Sequence, residues 1–216
     1  MEIKYIGHSS FCIKTKTAKI VTDPFDPQMV GLKYPKQEAD IITISHHHGD
    51  HNFIEGVKEG GLVIDWPGEF EKNEVRITGF ASYHDKKQGE ERGENTIFKL
   101  ESENVSILHC GDLGYVIDKE MVETIGNVDI LLIPVGGFYT INAEEAVKVI
   151  NEIEPSIVIP MHYNNPEMNQ ELAANMQPLE TFLKEIGADD VQPQEKLVIK
   201  KEDINPEDMQ VVVLSI

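Results

Sequence analysis

The segment His46-His47-His48-Gly49-Asp50-His51 follows directly on the apolar run Ile41-Ile42-Thr43-Ile44, and it constrains the chain more than any other stretch. Along an extended backbone alternate residues point the same way, so His46 and His48 can converge on one ion while His47 turns elsewhere. Gly49 then bends the chain, and Asp50 and His51 can reach a second, adjacent position. One short loop at a strand end can in this way serve two metals a few ångströms apart. Read as H-x-H-x-D-H the register is unique, because a start at His47 would need a histidine where Gly49 stands. His46, His48, Asp50 and His51 are the candidate ligands and His47 the spacer. A histidine-rich surface tract or tag is rejected, since such a tract carries no Asp-His at this spacing and ends no strand.

The 216 residues suit one domain, residues 1–216, large enough to bury a core without structural metals or disulfides. A bound metal is then free to be catalytic. Lys plus Arg number 19 against 38 Asp plus Glu, a formal charge of −19 that favours solubility and disfavours a nucleic-acid partner. No Lys/Arg cluster is denser than Lys86-Lys87 and Lys200-Lys201. Only Cys12 and Cys110 occur, with neither disulfide nor metal-ligand spacing, and both read as small buried hydrophobes. The start Met1-Glu2-Ile3-Lys4-Tyr5 lacks the apolar core of a secretory signal, and no apolar run approaches the roughly 20 residues needed to span a bilayer. The expected protein is cytoplasmic, without a membrane segment.

Short strand patterns dominate: residues 2–6, 11–14, 19–22, 41–45, 62–64, 74–78, 96–101, 106–109, 130–133, 157–160, 196–199 and 210–214. The clearest helix starts after Asn142, an N-cap with Glu145 three residues on. It carries Ala143, Ala146, Val147, Ile150 and Ile153 on one face before Pro155 stops it. Lys119–Ile125 and Leu179–Ile186 are further helices, the second closed by Gly187, and residues 53–58 form a weaker candidate. The long polar stretch 85–95 reads as a mobile loop or hairpin. Strands alternating with helices suit an α/β fold, two packed sheets with helices outside.

Two metals need more ligands than one loop supplies. His84 follows Ile77-Thr78-Gly79-Phe80-Ala81-Ser82-Tyr83, Asp112 follows Ser106-Ile107-Leu108-His109-Cys110-Gly111, and His162 follows Ile157-Val158-Ile159-Pro160-Met161. Singly each has an ordinary explanation as a surface histidine or a turn aspartate. Jointly, and in this order after H-x-H-x-D-H, they resemble the ligand motifs of the metallo-β-lactamase superfamily. Tyr5-Ile6-Gly7-His8-Ser9-Ser10-Phe11, His109-Cys110-Gly111-Asp112-Leu113-Gly114, Pro134-Val135-Gly136-Gly137-Phe138-Tyr139-Thr140 and Pro160-Met161-His162-Tyr163 are similar to its Zn-dependent hydrolase branch related to the ascorbate-phosphate lactonase. The resemblance implies an αββα sandwich of two mixed β-sheets with the site at one edge. It places His46, His48 and His84 on a first metal, Asp50, His51 and His162 on a second, and Asp112 between them. Asp23 matches the superfamily's early aspartate that hydrogen-bonds the histidine loop; in Val21-Thr22-Asp23-Pro24 it is equally a turn residue.

Departures narrow the activity. Asp112 stands where true metallo-β-lactamases commonly carry cysteine, so antibiotic hydrolysis is not expected. His48 stands where oxygen-reducing diiron members have a carboxylate, which argues against a redox role. Tyr83-His84-Asp85 lacks the Gly-His-Thr-x-Gly form of several branches, which puts His84 in doubt. Of the remaining histidines, His8 could approach the site from the N-terminal hairpin, a strand-edge hydrogen bond being the favoured reading, and His47 and His109 have no assigned part.

A water shared by two ions about 3.5–4 Å apart loses its proton near pH ~7, so a metal-bridging hydroxide needs no serine or cysteine nucleophile, and Asp50 is the natural residue to orient it or shuttle its proton. The expected enzyme is a metal-dependent hydrolase with two Zn²⁺ ions, Mn²⁺ or Fe²⁺ suiting the same donors, acting on a small-molecule ester, lactone or phosphoester. A nuclease of the same superfamily and a non-catalytic metal-binding or sensor protein are the alternatives. Arg92, Lys86 and Lys87 could meet a substrate carboxylate or phosphate; a solvated loop is the favoured reading of all three.

Overall fold

The computed structural model describes all residues, Met1–Ile216. β1 (Glu2–Gly7), β2 (Ser10–Lys14), β3 (Lys19–Thr22), β4 (Ile41–Thr43) and β5 (Leu62–Ile64) build one sheet. β6 (Gly68–Lys72), β7 (Val75–Tyr83), β8 (Glu94–Ser102), β9 (Val105–His109), β10 (Ile130–Pro134) and β11 (Ile157–Met161) build the other. β12 (Leu197–Val198) closes the first sheet beside β1, and β13 (Gln210–Val211) the second beside β11. The helices are α1 (Pro27–Val30), α2 (Lys119–Ile125), α3 (Ala143–Ile153), α4 (Gln170–Ala173) and α5 (Leu179–Ile186). Both sheets are mixed, as expected for the αββα sandwich: β1 to β3 and β6 to β9 run as antiparallel meanders, while β3–β4–β5 and β9–β10–β11–β13 pair in parallel.

β10 and β11 are unbroken apolar runs buried at every position because they are covered on both faces. One side meets the other sheet, where Phe11, Ile13, Ile20 and Ile41 join Phe98, Leu100 and Ile107 in a single core. The other side carries α3, whose Ala146, Val149, Ile150 and Ile153 are buried, and α3 in turn packs on α2 and α5. The capping box is formed as read, Asn142 Oδ1 accepting from Glu145 N and Glu145 Oε2 from Asn142 N; Glu154 ends the helix in the left-handed region before Pro155. The outer face of the first sheet has a thinner cover. There α1 and α4 enclose a small cluster of Ile6, Phe25, Val30, Leu32, Met168, Ala173 and Met176.

Two differences from the sequence reading have clear causes. β6, Gly-Glu-Phe-Glu-Lys, was not expected as a strand, because this edge strand has no buried residue and thus no apolar pattern; it forms by pairing with β7 across a turn at Asn73-Glu74, both at positive φ. Residues 53–58 give only one 3₁₀ turn, Ile54–Gly56, since Gly56 lies against the Tyr34 ring and the chain leaves extended at Val57.

Because β1 and β3 are each antiparallel to β2, and β4 is parallel to β3, those three run in one sense. By the same reasoning β7, β9 and β11 run in one sense. The turns that enter β3, β7 and β9 meet at the opposite edge, where Thr17 Oγ1 donates to Asn73 O and Lys16 N donates to Glu103 Oε1.

Candidate metal centre

The strand ends deliver the site. His8 follows β1, Asp23 follows β3, the 46–51 loop follows β4, His84 follows β7, Asp112 lies beyond β9 and His162 follows β11. Backbone bonds staple the two sheets here: His162 N donates to His8 O at 2.8 Å and Thr96 N to Ser45 O at 2.8 Å.

All seven residues expected from the sequence come together. His46, His48 and His84 offer ligand atoms within 4.8 Å of one another, as do His8, Asp50, His51 and His162, and His46, His51 and Asp112. Asp112 touches both sides: Oδ2 lies 3.2 Å from His84 Nε2 and 3.1 Å from His162 Nε2, and Oδ1 lies 3.3 Å from His51 Nε2. His47 stays outside, exposed, with its Nε2 3.5 Å from Asp65 Oδ2. We therefore expect His47→Ala to leave metal content nearly unchanged and His48→Ala to lower it, measured by elemental analysis. Equal loss in the two variants would show the register to be misread.

The supporting groups fix which nitrogen faces inward. Asp23, fully buried, accepts from Ser45 N (2.8 Å) and Ser45 Oγ (2.6 Å) and from His51 Nδ1 (2.9 Å). His51 thus donates through Nδ1 and turns Nε2 toward Asp112. Ser45 Oγ has given its one proton to Asp23, so the 2.9 Å contact with His46 Nδ1 makes His46 the donor there, leaving its Nε2 lone pair toward the cluster. Asn95 was not singled out from the sequence. Its amide donates to Ser82 Oγ and Cys110 O while its oxygen accepts from Asp112 N at 2.9 Å, which holds the Asp112 loop. The signal was an amide standing at the head of the apolar run Thr96-Ile97-Phe98.

His8 departs from its favoured reading as a strand-edge residue and takes the alternative, an approach to the site. Its Nε2 lies 3.2 Å from Asp50 Oδ2, and its ring lies 4.2 Å from that of His162, centroid to centroid. No local pattern marks this, since only the docking of β1 against β11 brings them together. His109 is a scaffold residue: Nε2 donates to Ser9 O at 2.8 Å and Nδ1 accepts from Gly111 N at 3.2 Å.

The electrostatics favour a cation. Burial and the neighbouring His51 push the His46 pKa down to about 2, and burial with His162 pushes His8 to about 4, so both imidazoles are neutral and able to donate a lone pair. Burial acts to raise the Asp112 carboxyl, but His162, His51 and His84 outweigh it and hold it well below the usual carboxylate range. Burial likewise acts to lower His51, and Asp112 and Asp50 overcome it and raise the imidazole well above its usual value. Both shifts say that positive charge is stabilised beside His51 Nε2. Three buried atoms that face the cluster, His46 Nε2, His51 Nε2 and Asp112 Oδ1, have no hydrogen-bond partner. Each such atom costs about 1–3 kcal/mol if left unpaired. Imidazole nitrogen and carboxylate oxygen are the donors that zinc, manganese and iron accept, so the residues fit the metals expected from the sequence.

A profile of the beta-lactamase superfamily domain matches residues 2–162. The chain belongs to the beta-lactamase superfamily. A Staphylothermus marinus protein named a metal-dependent hydrolase is 32% identical over 220 residues, spanning 86% of this chain and 96% of that one. The crystal structure of a proposed Zn-dependent hydrolase of the metallo-β-lactamase superfamily from Thermotoga maritima superposes with a TM-score of 0.80. It is 36% identical and covers 99% of this chain and 97% of that one. An isothiocyanate hydrolase from Delia radicum gut bacteria, 14% identical at a TM-score of 0.65 with 93% and 99% of the chains covered, shares the fold. This superfamily member is a metallo-β-lactamase-fold enzyme of the metal-dependent hydrolase kind.

Proposed function

We propose that this superfamily member is a dinuclear hydrolase, with zinc the expected metal, that cleaves a small ester, lactone or phosphoester. The observation that carries the reading is the division of the cluster. His46, His48 and His84 form one set and His8, Asp50, His51 and His162 another, and the Asp112 carboxylate lies within 3.3 Å of His84 in the first and of His51 and His162 in the second. His46, His48 and His84 would hold the first ion, Asp50, His51 and His162 the second, and Asp112 would sit between. When bound, such a pair of ions supplies Lewis acidity toward water and toward a carbonyl or phosphoryl oxygen.

The chain's own residues do the rest. Asp23 and Ser45 keep His51 and His46 in the tautomers that present Nε2. Asp50, with Oδ2 against His8 Nε2, is the catalytic residue placed to hold a proton taken from the attacking water. His48 is exposed, which puts the open side of the cluster next to it. Two cavities flank that side. One, of about 370 Å³, includes His46, His48 and Trp66; the other, of about 450 Å³, includes His84, Arg92 and Tyr139. Both suit a small molecule. A larger polar groove of about 630 Å³, lined by Lys99, Glu101 and Asn127, contains no histidine and lies near the entry to β9. No helix is long and apolar enough to cross a membrane, and both cysteines are free.

Elemental analysis of protein prepared without chelator is expected to give up to two transition-metal ions per chain. Protein that stays metal-free and also refuses Zn²⁺ and Mn²⁺ would remove the basis of the reading. One ion that cannot be raised to two would replace it with a mononuclear site. Turnover of a panel of lactones, thioesters and bis-aryl phosphodiesters by the loaded protein then tests the hydrolase itself; inertness toward all of them, with two ions in place, would favour a sensor.

A further inference from the structure

The chain has two arginines. Arg76 pairs with Glu101 at 3.8 Å. Arg92 lies in the 85–93 connection of the β7–β8 hairpin beside the cluster, a hairpin being one of the two forms expected of this stretch, and the connection is organised around Asp85. The Asp85 carboxylate accepts from the backbone N–H groups of Lys87 (2.7 Å), Gly89 (2.9 Å), Glu91 (3.0 Å) and Arg92 (2.8 Å). Gly114 completes the fixture, since a Cβ there would fall 2.3 Å from both His84 C and Asp85 N, so the loop's root packs directly on the segment after Asp112.

Within this loop Lys86 pairs with Glu145 and Lys87 with Glu91. Arg92 pairs with no carboxylate. Its Cζ lies 4.9 Å from the centroid of Tyr139 and 5.7 Å from that of Phe138, two rings at 86° to each other, so the cation rests over aromatic rings and not on a carboxylate. Stacking occupies the face of a guanidinium and leaves its N–H edge free for two parallel hydrogen bonds to an oxyanion. Arg92 lines both cavities: with His46 and His48 in one, and with His84 and Tyr139 in the other. In the latter Glu91 and Glu145 pair with Lys87 and Lys86, and Asp85 accepts only from backbone N–H groups, so Arg92 is the one cation there without a carboxylate partner. Phe138, 56% exposed, offers an apolar wall beside it.

We infer that Arg92 is a specificity residue that takes up a carboxylate or phosphate carried by the substrate away from the bond to be cleaved. The inference rests on the hydrolase reading and gives its substrate a class: a small anionic ester or lactone, with the oxyanion on Arg92 and the body against Phe138 and Tyr139. In a chain of net charge −19, such a fixed cation at the mouth is what lets an anion approach.

The test uses matched esters with one leaving group, para-nitrophenyl hemisuccinate and para-nitrophenyl acetate, on the zinc-loaded protein. Arg92→Ala is expected to lower kcat/KM for the hemisuccinate about 10–100-fold, the range for losing a charged hydrogen-bond pair, with the acetate nearly unchanged. Arg92→Lys should fall between. In parallel, binding of 3-phenylpropionate and phenylphosphonate is measured calorimetrically on loaded and metal-free protein, which separates Arg92 from the ions' own pull on anions. Kd should weaken about tenfold or more in Arg92→Ala in both states, and the ligand that weakens more identifies carboxylate or phosphate as the preferred group. An unchanged ester ratio, or equal loss on both esters, overturns the inference. If the native protein cleaves neither ester, the Kd values decide: dependence on Arg92 keeps the anion site while the hydrolase reading fails, and no dependence overturns the site.

Discussion

Replacing Asp112 with asparagine is expected to leave the fold intact while removing at least one of two ions and lowering turnover by more than about 100-fold. Substitution of groups that merely orient ligands already costs 10–100-fold in metal affinity or activity, and Asp112 faces His51, His84 and His162 directly. An amide keeps the shape, so circular dichroism should be near native. It removes the negative charge that holds His51 well above its usual pKa, and it supplies one carbonyl oxygen where a carboxylate supplies two. Metal analysis and turnover on whichever ester or lactone the native protein accepts are the measurements. A variant that keeps both ions and native turnover would mean that Gly111-Asp112-Leu113-Gly114 is a turn and nothing more.

The second large effect is expected at Asp23→Ala. Three donors, Ser45 N, Ser45 Oγ and His51 Nδ1, converge on a carboxylate with no solvent exposure. Deleting it leaves those groups unpaired in the interior, a change of the kind that destabilises by about 3–5 kcal/mol. For a chain of this length that corresponds to a drop of about 6–20 °C in the melting temperature of the metal-free protein. His51 also loses the bond that turns Nε2 inward, so zinc affinity should fall at least 10–100-fold in a competition titration. Asp23→Asn keeps the volume and should recover part of the stability but less of the affinity. Native melting and native affinity in both variants would show that the loop 46–51 orients itself.

What the sequence makes legible here is what local periodicity and strand ends encode. The H-x-H-x-D-H loop reads directly because its spacing marks which histidines converge, although residues 45–48 bend after β4 instead of running extended. His84, Asp112 and His162 are legible only as a set, each being an unremarked residue after an apolar run until the first loop demands partners. The two sheets follow from the apolar runs of β3, β4, β10 and β11, and α2, α3 and α5 from their apolar faces and caps. His8 is legible only as an alternative, because its part depends on β1 meeting β11, and Asn95 is not legible, because its part depends on β8 lying beside the turn after β9. Asp85 reads as one more charge in a polar stretch. Its carboxylate is in fact the organising centre: burial acts to raise its pKa, and the backbone donors of Arg92, Lys87, Gly89 and Glu91 hold it at about 2. β6 escapes detection because pairing alone makes it a strand.

The edge remote from the metal cluster, where the turns entering β3, β7 and β9 touch through Lys16, Thr17, Asn73 and Glu103, offers a place to modify the protein without touching its chemistry. Asp23, His84 and Asp112 sit beyond the far ends of β3, β7 and β9, the strands that these turns begin. An affinity handle, a fluorophore or an inserted peptide at Asn73-Glu74 or Glu103-Asn104, positions already in the left-handed region that tight hairpins use, is separated from the chemistry by the full length of β7 or β9. The same edge can anchor the protein to a surface with its open side turned to the solution.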